Sequence, residues 1–344
     1  MINCEKLSYL KYPVFANIYL TNRCNLNCRH CIDSAGIISE QELKNELSNQ
    51  EIYNIIDYFL ERGVKNISFS GGEPLLHKNV FEFIAYLSKK NISVTLLSNI
   101  MLINRKIAQK LKESGLYYLR SSIEGPNAEI HDWIRGKGSF QKLLTNLKYL
   151  KEVDLPKLGV SLVVYKKNFD FVESVIKLLL RIGIYHLTLT QLIPSGRGKK
   201  MKDLVLDKQE YKSLLEMKPV LEKRYPKMII YMDSPLKAII YSKDKDKLLE
   251  CAPCIIGRCF LGIKANGDIY ACPMRDEVVI GNVRKDNLDD IWHNSPFLNL
   301  IRNTSLLKGK CKECRLKNFC GGGCRALAHL HYNDVLMPDP YCWL

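Results

Sequence analysis

Three cysteines stand close together in the stretch Thr21-Asn22-Arg23-Cys24-Asn25-Leu26-Asn27-Cys28-Arg29-His30-Cys31. Their spacing is C-x₃-C-x₂-C, directly after the apolar run 15–20. Three thiolates on one tight loop can hold three irons of a cubane iron–sulfur cluster, leaving the fourth iron without a protein ligand nearby. An iron with a free position can bind and activate a small molecule, whereas a four-cysteine cluster mainly carries electrons. The alternative is a tetrahedral zinc site with His30 as the fourth ligand. His30 directly precedes Cys31, and ligands on adjacent residues suit that geometry poorly.

The remaining cysteines repeat the theme far away. Of 13, Cys4 stands alone, three lie in the loop, and the others fall between Cys251 and Cys342, with none from Cys31 to Cys251. The N-terminus has no apolar leader, and no apolar run is long enough to span a membrane. The expectation is a cytoplasmic protein whose thiols bind metal rather than pair as disulfides. The last third reads Cys254, Cys259, Cys272, then Cys311-x₂-Cys314-x₅-Cys320-x₃-Cys324, then Cys342. A zinc ribbon would use the C-x₂-C pair but leave Cys259, Cys272 and Cys342 unexplained.

The formal charge of +15 raises nucleic acid as a partner. The lysines are scattered in pairs such as Lys89-Lys90 and Lys166-Lys167, which describes a solvated surface better than a binding patch. One three-cysteine cluster (about −1) and two four-cysteine clusters (about −2 each) would still leave a basic balance of roughly +10. That balance would help an anionic substrate approach.

The elements that must position these residues follow from periodicity. Strands are expected at 16–21, 66–70, 92–97, 117–122, 159–164 and 185–190, with helical patterns between. Ile52, Ile55, Ile56, Phe59 and Leu60 share one helix face before Gly63, as do Phe169, Val172, Val175, Ile176 and Leu179 before Gly183. Six alternations predict an α/β fold with an open parallel sheet, too few strands for a closed eight-stranded barrel, and functional loops at the C-terminal strand ends. A Lys-rich helical stretch over 207–249, broken at Pro219, Pro226 and Pro235, includes a final strand near 228–231. Asn266-Gly267 between Ile263 and Ile269 predicts a two-residue hairpin turn. The expected division is an extension 1–14, a core 15–235, a bridge 236–250 and a cysteine-rich domain 251–344.

Further motifs sit at the strand ends. Ser70-Gly71-Gly72-Glu73-Pro74 follows the second strand; two glycines let the backbone approach a ligand without a Cβ clash, and the proline stiffens the exit. Ser98-Asn99-Ile100 follows the third, and Ser122-Ile123-Glu124-Gly125 the fourth. His131, Arg135, Gly136 and Phe140 form an H-x₃-R-G-x₃-F string. Leu192-Ile193-Pro194-Ser195-Gly196-Arg197-Gly198 follows the sixth strand, as a ligand contact or as a glycine-rich exit loop.

Together these residues, over about 15–344, resemble the radical S-adenosylmethionine (SAM) enzymes, and the last third resembles their SPASM domain. The resemblance implies a partial (β/α)6 barrel followed by a small cysteine-rich SPASM domain with a β-hairpin. It implies a [4Fe-4S] cluster on Cys24, Cys28 and Cys31 whose open iron chelates SAM and cleaves it reductively to a 5′-deoxyadenosyl radical. It assigns SAM contacts to Gly71, Gly72, Glu73, Pro74, Asn99, Ser122, Glu124, Arg135 and Leu192, with Arg135 facing the SAM carboxylate; a surface arginine capping a loop is the alternative there. In the family the Asn motif is commonly Thr-Asn-Gly, so Ile100 departs from it, and Glu124 stands where Asp is frequent. Two auxiliary [4Fe-4S] clusters are implied, one on Cys254, Cys259, Cys272 and Cys324, the other on Cys311, Cys314, Cys320 and Cys342, three clusters in all; Cys251 is the alternative to Cys254.

The implied reaction is hydrogen abstraction from a substrate C–H, foremost in the modification of a ribosomally made peptide. Oxidative modification or decarboxylation of a tetrapyrrole in a haem pathway is the alternative. Pro273 occupies the position after Cys272 where sulfatase-maturing relatives carry a catalytic Asp, which argues against that chemistry. Partners implied are a peptide or small-molecule substrate, a flavodoxin- or ferredoxin-type electron donor, and a separate peptide-recognition protein, since about fifteen residues before the first strand leave no room for such a domain. Asp233, Arg275 and Asp276 are candidates for acid–base work. A different class, an electron-transfer or RNA-binding protein, is distinguished by making no deoxyadenosine or by steeply salt-dependent binding.

Overall fold

The computed structural model describes residues 9–232, 234–272 and 278–344. Asp233, Arg275, Asp276, Pro273 and Cys4 lie outside the described residues. Seven strands run in order and in parallel: β1 (Phe15–Thr21), β2 (Asn66–Gly71), β3 (Ser93–Leu97), β4 (Tyr118–Ser122), β5 (Lys157–Val164), β6 (His186–Gln191) and β7 (Ile229–Met232). β3 and β4 bury alternate positions, as a pleated surface requires, whereas β1 is buried at every position after Phe15. The helix Asn49–Glu61 starts with a Ser48/Glu51 capping box and buries Ile52, Ile55, Ile56 and Phe59. The helix Val172–Ile182 stops at Gly183, whose left-handed φ of 71° closes the last turn. These helices cover one face of the sheet in a single apolar core.

Three further strands, β8 (Phe260–Ile263), β9 (Asp268–Tyr270) and β10 (Val279–Asn282), extend that sheet beyond β1, giving the order β10-β9-β8-β1-β2-β3-β4-β5-β6-β7. β8 pairs parallel to β1, with Phe15 against Phe260 and Ile18 against Ile263. The cysteine-rich segment therefore reaches the core through backbone pairing next to the strand that launches Cys24. Among the described residues no helix is long and apolar enough to cross a membrane.

Two expectations need correction. The β8–β9 turn is longer than two residues: Gly267 N–H donates to Lys264 O and Lys264 N–H to Asp268 O, with Gly267 at φ 86°. That is a type I turn closed by a left-handed glycine, so Asn266-Gly267 marks the turn but not its length. Pro219 does not break its helix, which runs Lys208–Arg224. A proline already has a helical φ and sacrifices one hydrogen bond; the Asp207/Glu210 capping box and the burial of Leu214, Leu215 and Leu221 hold the helix across it.

Candidate active site at the C-terminal strand ends

The cysteine loop is tied at its base and wrapped from three sides. Cys24 N–H donates to Gly36 O at 2.9 Å and Gly36 N–H to Asn22 O at 3.3 Å, closing the loop just past β1. The Gly71–Glu73 turn then lies against it: Gly72 N–H meets Thr21 O and Glu73 N–H meets Arg23 O, both at 2.8 Å. A Cβ on Gly71 would stand 2.3 Å from Thr21 O, and one on Gly72 would stand 2.1 Å from Arg23 O. The glycines are thus required by backbone packing against the cysteine loop. Glu73 is fully buried and spends both oxygens on the next strand end, accepting from Ser98 Oγ at 2.7 Å, Leu75 N at 3.0 Å and Asn99 N at 2.8 Å. Burial pushes its carboxyl up to about 7, against the pull of those donors. Asn99 Nδ2 reaches Asn25 Oδ1 at 2.8 Å and Cys24 Sγ at 3.7 Å. Ile100, where the family favours glycine, holds a left-handed φ of 58° while fully buried. This is a strained conformation for a β-branched residue, held in place by packing and by Asn146 Nδ2 on its carbonyl at 2.7 Å.

Glu124 and Arg135 turn inward to each other. Arg135 Nε and Nη2 lie 2.8 and 2.7 Å from Glu124 Oε1, and His30 Nε2 lies 3.0 Å from the same oxygen. Arg135 Nη1 also points at Cys28 Sγ, 3.9 Å away. Burial works to raise the Glu124 carboxyl, yet the charges of His30 and Arg135 hold it at about 2. The H-x₃-R string is explained by the same cluster: His131 Nδ1 accepts from Glu124 N at 3.2 Å, and Asp132 binds the Gly138 and Phe140 amides at 2.7 Å.

The Leu192–Gly198 string resolves into two jobs. Leu192 lines the site. Arg197 clamps the cysteine loop, with its N–H on Cys31 O, Nε on Cys28 O at 2.9 Å and Nη1 on Ala35 O at 2.7 Å. Sequence reasoning singled out the string but not Arg197, because its partners are main-chain carbonyls that leave no mark in any sequence.

The three thiols surround one end of a cavity of about 290 Å³ lined also by Gly71, Gly72, Asn99, Ser122, Arg135, Leu192 and Gln191. Of the expected contacts, Glu73, Pro74 and Glu124 do not line it; they support residues that do. Burial pushes the Cys24 thiol up to about 11, with Glu73, Cys28 and Cys31 adding to the shift; burial also raises Cys28. Crowded, buried thiols are held as thiolates by a bound cation, so the donor set suits iron. Gln191 Oε1 is buried on the cavity wall without a hydrogen-bond partner among the described residues, an acceptor left over for a polar ligand.

Several of the later cysteines act on one another electrostatically. The Cys320 thiol is pushed up to about 11, first by burial and then by Cys311, Cys314 and Cys342. Cys324 is raised by burial, Asp339, Cys272 and Cys254. Asp339 links Cys324 to the C-terminal segment: Oδ2 accepts from Cys324 N at 2.7 Å, Oδ1 from Tyr341 N at 2.9 Å, and its carbonyl takes Cys342 N–H. Burial raises the Cys251 thiol; Cys251 packs with Ala238 and Cys320, and its Sγ lies 3.4 Å from Lys247 O. Cys259 Sγ lies 3.8 Å from Ile255 O.

Comparison with known proteins agrees with this geometry. The model of the radical SAM superfamily matches residues 18–204, and that of the SPASM iron–sulfur cluster-binding domain matches 254–315. The chain is 29% identical over 334 residues to the AdoMet-dependent heme synthase of Methanosarcina barkeri, covering 94% of each chain. It is 29% identical to the mycofactocin maturase MftC of Mycolicibacterium smegmatis, covering 97% of this chain and 83% of the other. In three dimensions it resembles Streptococcus suis SuiB bound to its precursor peptide SuiA, at a TM-score of 0.80 and 18% identity, over 98% of this chain and 77% of that one. The two matched domains carry [4Fe-4S] clusters and SAM, and the three thiols of the matched region line one cavity: the chain belongs to the radical SAM superfamily of enzymes.

Proposed function

We propose that this enzyme cleaves SAM reductively at a cluster on Cys24, Cys28 and Cys31 and modifies a C–H position of a ribosomally made peptide. The observation that carries the reading is the single cavity shared by those thiols and by Gly71, Gly72, Asn99, Ser122, Arg135 and Leu192. When bound, the cluster and SAM supply a 5′-deoxyadenosyl radical. The chain's own residues keep the loop rigid through Arg197, Glu73 and Glu124, and present backbone and small polar groups to the ligand. Arg135, already paired with Glu124, offers its remaining face to the cavity. The SuiB fold accommodates a precursor peptide, and MftC is a maturase by name. A tetrapyrrole is the second reading, favoured by the heme synthase match that spans 94% of both chains.

The test is anaerobic reconstitution, reduction with dithionite, addition of SAM, and chromatography for 5′-deoxyadenosine. Wild type is expected to produce it with about twelve irons; Cys24→Ala/Cys28→Ala/Cys31→Ala is expected to produce none and keep about eight. A wild type with full iron and no deoxyadenosine would sink the radical reading. Candidate precursor peptides and iron-coproporphyrin, added in parallel, then decide the substrate by which one accelerates SAM consumption and changes mass.

We further assign the eight auxiliary ligands to Cys254, Cys259, Cys272 and Cys324, and to Cys311, Cys314, Cys320 and Cys342. Cys254→Ser is expected to lose about four irons and Cys251→Ser none, read by iron analysis after identical reconstitution. The reverse outcome would make Cys251 the ligand. An acidic electron donor and a separate peptide-recognition protein complete the expected partners.

A further inference from the structure

We infer that the outer face of the cysteine loop is the docking surface for an acidic one-electron carrier protein. The inference rests on the reductive SAM cleavage proposed above, which consumes an electron from outside the chain. Four segments distant in sequence meet on that face. Cys28, Ile134, Tyr165, Leu192 and Met201 form one small apolar cluster, with Trp133 packed at its edge. Arg29 N–H donates to Ile134 O at 3.0 Å, and Lys166 N–H donates to Leu204 O at 2.9 Å, so backbone bonds hold the four segments in two pairs that meet in this cluster.

Cations rim this cluster. The Arg29 guanidinium lies 4.8 Å from the Trp133 ring and Lys167 Nζ 4.4 Å from it. Trp133 itself stacks on Tyr165 at 6.0 Å and 23°. Lys137 follows the Trp133 helix by two residues, and Lys200 and Lys202 flank the buried Met201. Arg29, Lys137, Lys166, Lys167, Lys200 and Lys202 are all exposed, and none forms an ion pair among the described residues. Asp203, beside Lys202, and Asp170, three residues after Lys167, are exposed acids near them. An aromatic ring framed by cations and backed by a cysteine-bearing apolar cluster has the composition of a recognition surface rather than of a merely solvated face. Its charge complements an acidic partner and would steer that partner's approach. Arg29 sits between Cys28 and Cys31 in the cysteine loop, so a partner seated here meets the loop that carries the thiols. Cys28 and Leu192 of this cluster also line the ligand cavity, so the cluster joins the basic face to the site that holds the thiols.

The probe is a bacterial flavodoxin, an acidic flavin protein. Its dissociation constant for the reconstituted enzyme is measured by titration at several salt concentrations. Its reduced form is used separately in place of dithionite to drive deoxyadenosine formation. The variant Lys137→Glu/Lys167→Glu/Lys200→Glu is compared with wild type and with Lys89→Glu/Lys90→Glu, a control at the far end of the helix Val80–Lys89. The first variant is expected to weaken binding at least about tenfold at low salt and to flatten its salt dependence, while the control binds as wild type. Flavodoxin-driven deoxyadenosine should fall in parallel, with the dithionite-driven rate unchanged, which also reports an intact fold. Equal binding by all three proteins, or equal loss in the control, overturns the assignment. Absence of deoxyadenosine from wild type with dithionite overturns the proposed function instead, and the binding titration still judges the surface by itself.

Discussion

Gly72→Ala is expected to lower deoxyadenosine formation by about a hundredfold or more. The new methyl would sit 2.1 Å from Arg23 O, 2.6 Å from Arg23 C and 2.7 Å from Asn22 O, all well inside ordinary contact. All three atoms are main chain, so no flexible side chain can yield. The Gly71–Glu73 turn and the cysteine loop must separate, breaking the bonds from Gly72 N to Thr21 O and from Glu73 N to Arg23 O. Overpacking of this kind costs about 1–3 kcal/mol of stability, and a misplacement of about 1 Å at a reacting centre costs about a hundredfold in rate. Gly36→Ala is the control within the same loop, since a Cβ there meets nothing within 4 Å; it should retain near-normal activity. Thermal unfolding and deoxyadenosine assays on both variants decide the matter. A Gly72→Ala enzyme as active as the Gly36→Ala enzyme would show that the close approach is dispensable.

Glu124→Gln should destabilise the protein by about 3–5 kcal/mol, because it leaves the buried Arg135 guanidinium without a countercharge. The effect has a pH signature. The folded Glu124 carboxyl, held at about 2, lies below the about 4.3 of an unfolded glutamate. A depressed acid contributes stability that is fully present above the unfolded value and is lost as pH falls toward the folded one. The gap between variant and wild type should therefore be widest above about pH 5 and close as pH approaches 2. Denaturant unfolding of the iron-free chains across that range measures it. A gap that stays constant with pH would mean that the carboxylate charge is not what holds His30 and Arg135.

The strands were legible because each is a short apolar run bounded by turn residues, and burial on both faces leaves little choice of conformation. The expected 66–70 and 159–164 fall inside β2 and β5. Helix stops at Gly63 and Gly183 were legible for the same local reason, a left-handed φ at each. Pro219 and the β8–β9 turn length misled because local propensity was overruled by burial and by a one-residue shift in turn geometry. At the site, cysteine spacing and the Gly71-Gly72-Glu73-Pro74 string pointed to the right strand ends. They could not separate residues that line the cavity from residues that brace them: Glu73 and Glu124 look like ligand contacts in sequence and are buried braces in space.

Composition and short-range spacing alone therefore determined the parallel α/β core, the three-thiol loop after β1 and the inventory of later cysteines, because each depends on neighbours a few residues apart. Tertiary structure decided the rest. It linked Cys342 to Cys324 through Asp339, packed Cys251 with Cys320 in one small buried cluster, and paired β8 with β1. It also placed Arg197 on the carbonyls of Cys28, Cys31 and Ala35, and gathered Arg29, Trp133 and Lys167 on one face. Such contacts join main-chain groups that every sequence possesses, or side chains whose meeting depends on how whole strands pack, so spacing along the chain carries no record of them.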